Sequence, residues 1–243
     1  MLPLSPSNKL AYCLALLAFI CACTTTRSMQ TTNDVTIEDG ALTVLLVEPD
    51  VRLSFLKASG IAEVRADWTR QGSENLLASM QDALAASDHE IISYSLNDAK
   101  EREIQLVRLH ESVGETILLH RFLGVPLPTK ENTFDWSLGS GVQVFKGTQD
   151  ADYLLFLFAR GAYASSGRQA MAIGLAVAGV GGIGTGGQAA YASLVDTRTG
   201  DIVWFNVAQT GPGTDMRKPE GAASLIETIF KDMPLIQQSE DAS

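Results

Sequence analysis

Tyr153-Leu154-Leu155-Phe156-Leu157-Phe158 is the stretch that decides the fold. Six apolar residues without alternation do not suit a sheet with one wet face. Both faces must be covered, so this strand is central. Downstream, Ala190-Tyr191-Ala192-Ser193-Leu194-Val195-Asp196 and Asp201-Ile202-Val203-Trp204-Phe205-Asn206-Val207 flank Thr197-Arg198-Thr199-Gly200. Two β-rich runs around a short Gly-containing loop predict a hairpin. Upstream, Ala41-Leu42-Thr43-Val44-Leu45-Leu46-Val47-Glu48-Pro49 reads as another strand buried on both faces, and residues 89–96 as a further strand.

Helical spacing fills the intervals. Leu76, Leu77, Met80, Ala83 and Leu84 mark one face of a helix over about 69–86. Leu106, Leu109, Val113 and Ile117 mark a longer one over about 98–122, opened by Asp98 with Glu101 three residues later. Gly114 weakens that helix locally or permits close approach of a neighbour. Residues 50–66 read as irregular with one helical turn near 53–58, and a short helix covers 138–145. Pro219 opens a final amphipathic helix carrying Leu225, Ile226, Ile229, Phe230 and Met233. A β-α-β start requires a crossover and parallel neighbours, and the hairpin adds antiparallel strands. The expected fold is α/β (α+β): a mixed, mostly five-stranded sheet with helices packed on its faces. It forms a single domain over 41–235, followed by a polar tail over 236–243.

The N-terminus has a different grammar. A polar start with one positive charge, Lys9, precedes an apolar run ending Ile20-Cys21-Ala22-Cys23. That is the layout of a secretory signal. From Leu10 to Cys23 the run is about 14 residues, short of the roughly 20 needed to span a bilayer as a helix. Residues 20–23 resemble a bacterial lipobox: an aliphatic residue, two small or tolerated ones, then a cysteine to be acylated. The resemblance implies removal of residues 1–22 and a diacylglycerol and N-acyl chain on Cys23. It also implies the outer membrane, because Thr24 stands where an inner-membrane retention Asp would be. Cys13 and Cys21 fall within the discarded segment, so the mature chain holds no disulfide and no cysteine metal site. Residues 23–40, Thr-rich and polar, read as a lipidated flexible tether.

Composition bounds the rest. With 46% hydrophobic and 19% charged residues, the chain can bury a sizeable core. Its net charge of −10 disfavours phosphate backbones, so no nucleic-acid partner is expected. Membrane attachment would come from acyl chains instead.

The element order, the lipobox and the hairpin Ser193-Leu194-Val195-Asp196…Thr199-Gly200-Asp201-Ile202-Val203-Trp204 resemble periplasm-facing lipoproteins with the TolB N-terminal type of fold. That group includes the curli secretion lipoprotein and the lipoprotein activators of peptidoglycan synthases. The resemblance implies a non-enzymatic, outer-membrane, periplasm-facing protein that binds an envelope partner or assembles as a homo-oligomer.

Candidate chemistry is sparse. Gly179-Val180-Gly181-Gly182-Ile183-Gly184 matches a dinucleotide-loop spacing but runs into Thr185-Gly186-Gly187 and then a strand, with no helix to meet a pyrophosphate. Residues 169–195 carry no charge. Met171, Ile173, Leu175 and Val177 alternate with small residues, as in a strand with one bulky face. Ala170, Gly174, Ala178 and Gly182 recur at i+4, as on a small-residue helix face. Segment 169–190 is thus open to three readings: a membrane-inserting, secretion-pore-like element, a partner-binding loop, or a packed connection. Arg168 follows a polar turn, Ser165-Ser166-Gly167, and with Gly181 and Gly184 forms the candidate partner surface.

Among the histidines, His110-Glu111-Ser112-Val113-Gly114 fails as a zinc motif, because Gly114 stands where the second histidine would be. His110 and His120 are about 80° apart on a helix, too divergent for one metal, and both read as solvated. No nucleophile elbow or catalytic carboxylate pair is evident, so no enzyme activity, cofactor or metal is expected.

Overall fold

Strand β6 (Tyr153–Ala164) runs for 12 residues through the middle of one mixed sheet, and every other strand is placed by it. The computed structural model describes residues 25–30, 41–85, 87–131, 133–145, 148, 150–179, 183–211 and 214–236, the first of these segments by its backbone alone. In chain order the elements are β1 (Thr25–Gln30), β2 (Thr43–Val47), β3 (Asp50–Leu56), β4 (Ala62–Val64), α1 (Ala66–Leu84), β5 (Glu90–Tyr94) and α2 (Glu101–Ile117). After β6 come α3 (Ser166–Val177), β7 (Gly186–Asp196), β8 (Ile202–Thr210) and α4 (Pro219–Ile229). A π-helical turn, Leu118–Phe122, extends α2, and a 3-10 turn covers Ser140–Val144.

The sheet order is β1-β8-β7-β6-β2-β5. Strand β2 is parallel to both β5 and β6, while β7, β8 and β1 follow β6 in antiparallel succession. One long strand serves two short ones: Tyr153–Leu155 of β6 pair with Val44–Leu46, and Phe158–Ala164 pair with Asp50–Leu56. The break between them falls at Pro49, which has no N–H to continue the ladder. Strand β4 then folds back on β3.

The unalternating run of β6 is buried on both faces, as its composition requires. Leu155, Leu157 and Ala159 meet Leu76, Met80 and Leu84 of α1 and Leu225, Ile226 and Ile229 of α4. Leu154, Phe156 and Phe158 meet Leu106, Val107 and Ile117 of α2, with Phe134, Leu138, Val142 and Phe145 beside them. Each such side chain taken from water stabilises the fold by about 1.5–3 kcal/mol. Gly114 is what lets α2 lie close to the sheet, since a Cβ there would overlap the Tyr191 ring.

The five expected strands are all present. Three regions differ. Residues 50–56 and 62–64 are strands, not an irregular stretch with a helical turn. Val51, Leu53 and Phe55 alternate with Arg52 and Ser54, the period-two pattern of a half-covered strand. Residues 25–30, read as tether, form β1 on the edge of β8. Residues 166–177 form a helix, so the strand reading of 171–178 does not hold. The signal segment, Cys23 and Gly181 lie outside the described residues.

Candidate interaction surface

The register pairs fix one end of the sheet. Thr25 opposes Gln209, Thr210 opposes Gln188, Gly186 opposes Tyr163, and Ala164 opposes Leu56. Helix α3 bridges the β6 and β7 termini at this end. It starts at a Ser165 cap, whose hydroxyl accepts a hydrogen bond from the Arg168 N–H at 3.2 Å. The Ser165–Arg168 turn is therefore a capping turn. Arg168 also reaches across the return chain and donates from Nε to the Gly184 carbonyl at 2.7 Å. Two of the three residues proposed as a partner surface are thus brought together, with Gly184 exposed and Arg168 half-buried.

None of the 12 residues of α3 is buried. Met171 is 46% exposed, Ile173 66% and Val177 84%. From Ala170 to Val177 this helix is apolar all round, and such a surface is ordinarily enclosed by a core or by lipid. Ala170, Gly174 and Ala178 of the small-residue stripe are exposed too, and a Cβ at Gly174 would meet open space. At the same end the β3–β4 tip exposes Ile61 and Val64, with Lys57 ion-paired to Glu63 between the strands. A Cβ on Gly60, in that tip, would come 3.6 Å from the Arg168 guanidinium, so tip and helix base adjoin.

Behind this rim lies an aromatic and cationic cluster that the sequence reading did not assemble. The Arg217 guanidinium sits 4.2 Å from the Trp68 ring centroid and 3.9 Å from that of Tyr163. Arg65 covers Trp68 at 4.9 Å. Each arginine is neutralised by a neighbouring carboxylate, Arg217 by Asp215 and Arg65 by Asp67. Burial raises the Asp215 carboxyl, but the hydrogen bonds from Arg217 outweigh it and hold the group below its usual value. The Tyr163 hydroxyl donates to Gln188 Oε1 at 2.8 Å, and burial, followed by Asp215, pushes it well above the usual phenol range. Such a cluster is a fixed, charge-balanced platform. The signal for it is spread over positions 65, 68, 163, 188 and 215–217, and only the fold joins them.

Elsewhere the titratable groups are structural. His110 is buried, correcting the solvated reading: its Nε2 lies 2.6 Å from Ser193 Oγ and its ring stacks on Phe156 at 4.5 Å. Desolvation pushes its pKa down to about 3, so it is neutral at physiological pH. Ser193 is fully enclosed with it, and no substrate could reach the pair. His120 is half-exposed, with Nδ1 2.8 Å from the Val125 carbonyl. Arg160 clamps Asp50 and Glu111 at 3.0 Å each, tying β6 to β3 and α2. Among the described residues no group of acidic, histidine or cysteine side chains could hold a metal, and no helix is long and apolar enough to cross a membrane.

No family model matches the chain, and no curated protein matches it. Among solved structures it is similar to the PelC dodecamer from Paraburkholderia phytofirmans. The identity is 15%, over 89% of this chain and 99% of that one, with a TM-score of 0.37. A Leu-to-Met variant of the same dodecamer gives 14% identity over 89% and 100%, with a TM-score of 0.38. Likenesses at this level decide neither fold nor function.

Proposed function

We propose that this chain is a non-enzymatic envelope lipoprotein, held by acylated Cys23 to the outer membrane, with its α/β domain facing the periplasm for partner binding or assembly. The observation that carries the reading is the lipobox-like Ile20-Cys21-Ala22-Cys23 at the end of a short apolar run. Two features support a presenting role over a chemical one. The buried histidine and serine are sealed in the core, and Ile61, Val64, Met171, Ile173 and Val177 form an exposed apolar group at one end of the sheet, apart from a second group, Leu109, Leu119, Leu123 and Val125, on α2 and the chain after it. The alternative, a membrane-inserting, pore-like oligomer built on 169–190, is favoured by one observation, the exposure of α3. A 12-residue helix is about 18 Å long, well short of a hydrocarbon core of about 30 Å, so α3 alone would not span it.

The test is the intact mass of the mature protein taken from membranes, beside a Cys23→Ser variant, with fractionation of both. A triacylated N-terminus at Cys23 in the outer-membrane fraction is expected. An unmodified, soluble, cleaved product sinks the lipoprotein reading.

A further inference from the structure

We propose that the sheet end marked by Thr25, Ala164, Gly186 and Thr210 lies flush against the bilayer that holds Cys23, with α3 and the β3–β4 tip seated at the headgroup–acyl boundary. The proposal rests on the lipoprotein reading and specifies what covers its exposed apolar surface.

Chain reach is the first argument. Strand β1 begins at Thr25, paired with Gln209, so its start is at the α3 end of the sheet. Cys23 is two residues earlier in sequence. Two residues span at most about 7 Å, so acyl chains on Cys23 enter the membrane beside this end and no other. A long tether would have left the orientation free, whereas a strand that starts at once does not.

Charge is the second. The protein carries −10 overall, yet residues 169–195 hold no charge at all. Acidic groups are kept from the helix that would meet lipid. The third is shape. Met171 and Leu175 point one way round α3, and Ile173 and Val177 the other, so no single protein groove could cover both pairs. A fluid hydrocarbon boundary can. Lying in the plane of the interface, such a helix need not span anything, and interfacial helices sink about 5–10 Å. Trp68, Tyr163 and Arg217 stand just behind, the residue types that favour the headgroup level.

The acylated full chain provides its own labelling control, because lipidation blocks the Cys23 thiol. Single cysteines at Val177→Cys and Ile61→Cys, and at Thr199→Cys in the opposite β7–β8 turn, are labelled with an environment-sensitive fluorophore. The proteins are reconstituted into phosphatidylethanolamine–phosphatidylglycerol vesicles containing brominated lipid. The proposal expects severalfold stronger quenching at positions 177 and 61 than at 199. Protein that is acylated by mass and floats with the vesicles, yet shows no quenching at 177, overturns the placement while leaving the anchor intact. Disulfide crosslinking of unlabelled Val177→Cys between copies without lipid quenching overturns it in favour of a second copy of this chain. An unmodified Cys23 and no flotation overturn both readings, and mass spectrometry tells that case from the others.

Discussion

Helices α3 and α4 are nearly the same length, 12 and 11 residues, and both are rich in apolar side chains. Their fates are opposite. In α4, Ala222, Leu225, Ile226 and Ile229 are all buried, while α3 buries nothing. Spacing explains the difference. The α4 residues fall within an arc of about 100°, one stripe that a sheet can cover. In α3 the bulky residues come every second position, about 200° of rotation each time, and scatter round the cylinder. Hydrophobic content alone therefore does not send a helix to the core. The content must lie on one side.

The sharpest way to break this comparison is truncation in both helices. Ile226→Ala should lower unfolding free energy by about 2–5 kcal/mol in urea titrations, through lost transfer and a residual cavity. Ile173→Ala should stay within about 0.5 kcal/mol of wild type. A loss above about 1 kcal/mol at Ile173 would mean α3 is packed after all. The glycines make a second pair. A Cβ at Gly221 of α4 would overlap the Asp215 backbone, so Gly221→Ala should cost about 1–3 kcal/mol. Gly174→Ala in α3 meets only space and should gain about 0.5–1 kcal/mol from helix propensity.

A buried histidine sharpens the contrast between enclosed and open surface. His110 has a folded pKa of about 3 against an ordinary 6.5. The unfolded chain therefore binds the extra proton first, and stability is full above 6.5 and falls as pH drops toward 3. Across that window the wild type should lose up to about 1.4 kcal/mol per pH unit more than His110→Gln, read from urea midpoints at successive pH values. Equal slopes would place His110 in contact with water. The smallest effect on folding belongs to Val177→Glu, within about 0.5 kcal/mol, since that side chain is already in solvent. Its effect on vesicle seating of the lipidated protein should be far larger, seen as lost lipid quenching at Ile61→Cys.

How much was legible follows from where the signal sits. Strand β6 and the β7–β8 hairpin could be read because burial on both faces leaves a continuous apolar run, and a Gly-containing turn punctuates it. Strand β3 was legible in principle from the alternation of Val51, Leu53 and Phe55, but the pattern is short and partly exposed, and 50–66 reads as irregular with one helical turn. Strand β1 has no such pattern: Thr25–Gln30 is polar and is recruited by the free edge of β8. Segment 166–177 was ambiguous by construction, since every-second-residue spacing suits a strand and small residues at i+4 suit a helix. The Ser165 cap resolves it. The burial of His110 has no mark in its own type or neighbours, and only the rotation of α2 turns it toward Phe156 and Ser193. At the surface, Arg168 and Gly184 could be named but not joined, for their 2.7 Å bond exists only once α3 has turned the chain back.

Strand β1 has a mechanical consequence. A load applied at Thr25, where β1 begins, acts along the strand. The six residue pairs that join it to β8, from Thr25–Gln209 to Gln30–Trp204, then resist together in shear. They are not unzipped one rung at a time. Under the proposed lipid anchor, a tug would be passed to β8 and on through β7 to the centre of the sheet, and β1 would act as a tensile coupling between bilayer and core.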